Sequence, residues 1–198
     1  MAITINGTGS ITGLTAGGLP DGSVVAADLA SSLDLTGKTV TLPSGTGGKI
    51  LQVVYGSTTS TFASLSVIPN DDTIPQNTEG TEFLTASITP ISASSTLFVQ
   101  VNVPCISSNS TGNVMVALFR DSGVNAIAAA STVVASNDYE EVLSFDHTAA
   151  SSATSSTTFK LRFGSNSASY YTYINRRVGG RILGGVLAST LTIFEVAS

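Results

Sequence analysis

The chain has a single histidine, His147, and it directly follows Asp146. A Ser-His-Asp relay needs the carboxylate to orient the imidazole from its own side of the backbone. Leu143 and Phe145 alternate with polar residues as a strand does, and adjacent strand residues project to opposite faces. Asp146 therefore cannot orient His147. A triad would have to recruit a distant aspartate and one of the many serines. No catalytic residue is assigned, and the chain is expected not to be an enzyme.

Metal and cofactor chemistry has as little to work with. Cys105 is the only cysteine, which excludes an intrachain disulfide and a cysteine cage. It follows the apolar run Val99, Val101, Val103, so a buried, inert thiol is expected. No His/Cys pair has zinc-ligand spacing. Asp71-Asp72, in a loop near Glu79 and Glu82, could hold a calcium ion. The run lacks the ligand register of a calcium loop, and solvated loop charge is the favoured reading. Glu140-Glu141 reads as a strand start with one exposed carboxylate.

Two glycine-rich runs imitate phosphate binders. In Gly7-Thr8-Gly9-Ser10-Ile11-Thr12-Gly13 the last glycine falls one position too far for a dinucleotide fingerprint. Gly47-Gly48-Lys49 is followed by Ile50 where a phosphate loop needs Ser or Thr, and Pro43 stands in place of its first glycine. No cofactor is expected.

Three tyrosines, Tyr170, Tyr171 and Tyr173, are the candidate recognition surface. Tyrosine offers a large contact area with few rotors. On a strand, Tyr171 and Tyr173 would share a face and could stack on a sugar or on a neighbouring subunit, while core packing with the hydroxyls at the rim is the plainer alternative. Arg176, Arg177 and Arg181 form a local basic cluster, read as a solvated turn or an interface ion pair before an anion site. Sequons at Asn6-Gly7-Thr8 and Asn109-Ser110-Thr111 carry no weight, because residues 1–20 show neither the basic nor the apolar region of a secretion signal.

The elements that position these residues fall into two parts. All thirteen aromatics lie at or after Tyr55, whereas ten of the nineteen glycines precede residue 49. Residues 1–48 thus form a small-residue N-terminal docking arm with too little bulk for its own core. It opens on the alternation Ala2–Gly7, turns at Pro20-Asp21-Gly22, and carries a short helix over Val24–Leu33 capped by Ser23. Leu33–Leu35 and Thr39–Leu42 then read as a hairpin, and residues 43–48 as a hinge.

Residues 49–198 form the head domain, large enough to hold its own core. Val99, Val101 and Val103 oppose Phe98, Gln100 and Asn102. Val114, Val116 and Leu118 oppose Met115, Ala117 and Phe119. Phe159, Leu161 and Phe163 oppose Lys160 and Arg162, and Ala126–Ala130, Tyr170–Ile174 and Leu191–Val196 supply further strands. About eight such strands, joined by Ser-, Asn- and Gly-rich linkers, predict an all-β, jelly-roll-like antiparallel β-sandwich. Apolar residues on both faces of a strand imply that one face fills the sandwich while the other meets neighbouring subunits. Phe98 and Phe119 are the candidates for that outer role, and a closed cyclic oligomer is the expected outcome.

Composition sets the partners. The chain is 42% hydrophobic but only 11% charged, where globular proteins run nearer ~25%. Its many hydroxyls suit a surface that meets other protein. A net charge of −5 argues against nucleic acid, whose phosphates need a basic face. No apolar stretch reaches the ~20 residues of a membrane span.

A family resemblance rests on particular runs. Ile11–Leu14, Gly17–Val24 and Ala27–Leu29 resemble the N-terminal portion of tail-fibre and appendage proteins of tailed bacteriophages, notably those of marine bacteria and cyanobacteria. In the head, Gly48–Val54, Ala86–Pro90, Ser94–Leu97, Leu118–Asp121 and Ser189–Val196 extend the resemblance over nearly the whole chain. It implies a virion structural protein with a trimeric β-sandwich head. The arm would dock to other virion proteins, and the head would be exposed for host attachment, with a host-surface glycan as one partner. The chain lacks the shaft repeat of a long fibre. A capsid decoration, or cement, protein is therefore the alternative, its arm running over the major capsid protein. A carbohydrate-processing enzyme ranks below both, since no paired acidic residues stand in a recognisable setting.

Overall fold

Ten strands make up the computed structural model, which describes residues 49–135 and 139–198. The expected arm, with its turn, helix and hairpin, lies outside the described residues. The strands are β1 (Ile50–Thr58), β2 (Phe62–Ser64), β3 (Thr81–Ile88), β4 (Thr96–Ser108), β5 (Gly112–Arg120), β6 (Ala128–Val134), β7 (Glu140–Ala150), β8 (Thr157–Ser165), β9 (Thr172–Ile174) and β10 (Ser189–Val196). They form two sheets, and every pair of strands within them runs antiparallel. The all-β sandwich expected from alternation is the observed architecture.

The long strand β4 organises the six-stranded sheet. One edge pairs with β10 over Thr96–Asn102 and then with β9 over Ile106–Ser108; the other pairs with β7. β1 extends the sheet beyond β10, and β2 beyond β9. The β4–β7 register shifts between Val103 and Ile106, where Pro104 supplies no N–H to the ladder. The second sheet runs β3-β8-β5-β6.

The core lies between the sheets. Leu97, Val99, Val101 and Val103 from β4 and Leu191 and Ile193 from β10 face Val114, Val116, Leu118, Phe159, Leu161 and Phe163, all buried. Burial of each such side chain contributes about 1.5–3 kcal/mol, which makes these alternating runs the main source of stability. Phe83 and Phe163 meet edge to face at 5.5 Å, with Phe62 completing the aromatic group at 5.9 Å from Phe83.

Strand β5 departs from the expected one-sided burial. Met115, Ala117 and Phe119 point away from the sandwich core, yet they too are buried, Phe119 to 2% exposure. Ile68 joins them in a second apolar cluster. The connection between β2 and β3 is fastened across that sheet face. Ile68 N–H donates to Ser165 O at 2.9 Å, Asn77 N–H to Val124 O at 2.7 Å, and Ala126 N–H to Pro75 O at 2.8 Å. Phe119 is therefore satisfied within the chain and is not a subunit contact. Phe98, by contrast, lies half-buried on the outer face of the other sheet.

Two strand limits also shift for local reasons. β6 begins at Ala128, because Ala126 spends its N–H on the crossing segment. β9 holds three residues instead of Tyr170–Ile174, because the Tyr171 N–H is taken by Asn109 Oδ1 at 2.7 Å.

Candidate functional site

Among the described residues, no other element packs across the outer face of the six-stranded sheet. Alternation places Val53 and Tyr55 (β1), Thr190, Thr192 and Phe194 (β10), Phe98, Gln100 and Asn102 (β4), and Ser144, Asp146 and Thr148 (β7) on it. Pairing sets Val53 beside Phe194, Phe194 beside Phe98 and Gln100 beside Asp146. The Phe98 and Phe194 rings lie 6.0 Å apart, and Val53 and Tyr55 are 51% and 63% exposed. Among these residues only Asp146 carries a formal charge. A concavity of about 520 Å³ opens here between Tyr55, Gln100, Asn102, Asp146, Thr190 and Thr192. A face rich in ring, amide and hydroxyl groups and poor in charge has the composition of a protein contact.

Aromatic residues gather at the end of the sandwich near β9. Tyr171 and Tyr173 stack with ring centres 5.9 Å apart and planes 20° from parallel. The Arg176 guanidinium stands 4.8 Å from the Tyr173 ring centre. Arg176 donates to the carbonyls of Arg177 and Val178, each at 3.0 Å, so its head is fixed. Tyr173 is 7% exposed and Tyr171 42%. Tyr170 does not join the stack. It lies against Gly112 and donates its hydroxyl to Asn166 Oδ1, and burial pushes its pKa up.

The basic cluster is divided in the same way. Arg177 forms a two-pronged ion pair with Glu140, and this contact holds the Glu140 carboxyl below the usual carboxylate range against its partial burial. Arg181 stands exposed in the connection to β10, packed against Gly185. The three arginines thus do not converge on one anion.

The remaining sequence candidates stay apart. Asp146 is exposed on the outer face, while His147 points to the opposite side of β7. Asp71 accepts from the Thr73 hydroxyl at 2.5 Å and the Thr73 N–H at 2.8 Å, and these bonds lower its pKa. Glu79 accepts from Gln76 N–H, while Glu82 lies 3.7 Å from Arg162. Among the described residues no group of three His, Cys, Asp or Glu is placed to hold a metal ion, and no helix is long and apolar enough to cross a membrane.

One functional-looking carboxylate escaped the sequence reading. Glu195 in β10 is fully buried on the inner side of its strand. Burial pushes its pKa up, but bonds from the Ser95 hydroxyl, Gln52 Nε2 and the N–H groups of Ile91 and Ser92 outweigh that and hold it at about 2. It clasps the β3–β4 connection to the last strand.

The described residues form an antiparallel two-sheet β-sandwich. Residues 63–198 match the family described as Pgp3 C-terminal domain, and the chain belongs to that family. No curated protein sequence matches it. Among solved structures it is similar to the C-terminal domain of EclA, described as a sugar-binding protein, at 14% identity over 59% of this chain and 75% of that one, with a TM-score of 0.34. It is also similar to the VP2 subviral particle of infectious bursal disease virus, at 12% identity and a TM-score of 0.35, and to the Gt strain of that virus, at 14% and 0.36. In both cases it covers 86% of this chain but 46% of the other. At such scores these likenesses carry no functional weight.

Proposed function

We propose that the chain is a non-enzymatic virion structural protein that closes into a homotrimer through the outer face of its six-stranded sheet. The observation that carries this reading is the character of that face: exposed Val53 and Tyr55 and half-buried Phe98 and Phe194 lie beside amides and hydroxyls, with one formal charge among them. Leaving such a face in water forfeits the gain of covering it, about 25 cal/mol per Å² of apolar surface. Three copies arranged head to tail around an axis close the ring and leave no face unpaired.

Residues 1–48 attach this trimer to the particle, and the β head stays exposed, as in a fibre or appendage that meets the host surface. The reading follows the resemblance of the arm and head to phage appendage proteins. The missing shaft repeat favours a second reading, in which the trimer is a capsid decoration protein. Copy number separates the two, since decoration requires many more copies per particle than a tail does.

Deletion of residues 1–48 tests the attachment. The truncated head is expected to fold and to be missing from purified particles. Normal incorporation of the truncated chain would overturn the docking role of the arm. Turnover of host polysaccharide that is abolished by His147→Ala would overturn the non-enzymatic reading.

A further inference from the structure

We infer that the exposed ring of Tyr171 is the floor of a subsite for a neutral pyranose sugar. This deepens the host-contact part of the proposed function and rests on that reading. Tyr173 is already occupied, with the Arg176 guanidinium over its ring at 4.8 Å and the Tyr171 ring stacked on it. Tyr171 keeps 42% of its surface exposed, so the stack ends in an open ring backed by a fixed one.

The backbone beneath that ring is locked. Asn109 Oδ1 accepts from the Tyr171 N–H at 2.7 Å, and the Asn109 N–H donates back to the Tyr171 carbonyl at 3.3 Å. Little ordering remains to be done on binding, which favours even a small ligand. Asn109 spends its Oδ1 on this bond, and among the described residues nothing accepts from its Nδ2.

The surroundings select the ligand class. Segments 107–112 and 165–169 adjoin at this end of the sandwich, where the Tyr170 hydroxyl lies against Gly112 and donates to Asn166 Oδ1. None of their residues is charged, and with Ser107, Ser108 and Ser165 buried, Asn109, Ser110, Thr111, Asn166, Ser167 and Ser169 are left to form the rim. A peptide anchor would need more apolar wall than one ring provides. An anion would need a cation, and Arg176 and Arg177 are engaged elsewhere. A pyranose matches both features: its C–H face carries slight positive character toward the electron-rich ring face, and its hydroxyl rim meets amides and hydroxyls.

Saturation-transfer NMR on the full chain tests this, with the methyl β-glycosides of glucose, galactose and N-acetylglucosamine as neutral probes and N-acetylneuraminic acid as a charged one. At least one neutral probe should receive saturation on its ring C–H protons. Tyr171→Ala should weaken that contact by about tenfold, and Tyr171→Phe, which keeps the ring face, should preserve it. Absence of transfer to all the probes, or transfer unchanged in Tyr171→Ala, would overturn the subsite. So would a signal confined to N-acetylneuraminic acid, which would indicate recognition of charge. The molar mass is measured on the same samples: a trimer without sugar contact sinks the subsite alone, whereas a monomer with sugar contact sinks the assembly reading alone.

Discussion

Ser95 donates its hydroxyl proton to Glu195 at 2.6 Å, and both side chains are buried. The same Ser95 hydroxyl lies 2.7 Å from the Ser92 carbonyl, and the Ser92 N–H reaches Glu195 at 3.0 Å. A carboxylate at the end of β10 thus fixes the turn that launches β4, the strand on which the six-stranded sheet is built.

Removing that acceptor should be costly. Glu195→Ala leaves several buried donors without a partner and is expected to lose about 2–4 kcal/mol. Glu195→Gln keeps one acceptor oxygen and should fall between the two. Urea unfolding at neutral pH measures both.

The same group predicts an acid dependence. Its folded pKa, about 2, lies below its ordinary value of 4.5, so its stabilisation is fully present above 4.5 and is lost as pH falls through about 2. Between pH 5 and pH 2 the wild-type chain should therefore lose more stability than Glu195→Ala does. Parallel acid sensitivity in the two would show that Glu195 contributes nothing to it.

Phe119 and Phe98 should respond in opposite ways. Phe119→Ala opens a cavity under the segment anchored by Ile68 and should cost about 3–5 kcal/mol of stability with little effect on assembly. Phe98→Arg places a charge on the outer sheet face and should leave the fold intact while weakening self-association. Thermal unfolding and light scattering on both variants check the pair of outcomes.

Gly164 marks the tightest point beneath the crossing segment. A Cβ there would sit 2.6 Å from the Ser66 carbonyl oxygen and 3.1 Å from Ile68. Gly164→Ala should push residues 66–68 off the sheet and cost about 1–3 kcal/mol. Hydrogen exchange should locate the loss at the Ile68 amide, which bonds to Ser165.

Alternation made most of this architecture legible. The β4, β8 and β10 runs declared which side chains are buried, and the opposition of Asp146 and His147 followed from neighbouring strand positions alone. Phe119 misled because burial on the second face of β5 depends on a distant loop, which no period-2 pattern can register. Glu195 was hidden for a similar reason: its donors come from residues about a hundred positions away, and a glutamate in a strand of alternating apolar residues gives no sign of them. The shared face of Tyr171 and Tyr173 was readable from their spacing, but the Arg176 contact needed the turn after β9. The sequence resemblance pointed to phage appendages, whereas the family match is to the Pgp3 C-terminal domain; runs of turns and strand edges are too widely shared to choose between families.

The central claim is that the open face of the six-stranded sheet is covered by further copies of the chain. Light scattering coupled to size exclusion, on the full chain at micromolar concentration, tests it most directly. The account predicts a single species of three times the 20.1 kDa chain mass, reduced to one chain mass by Phe98→Arg. A 20.1 kDa species for the unaltered chain would contradict it.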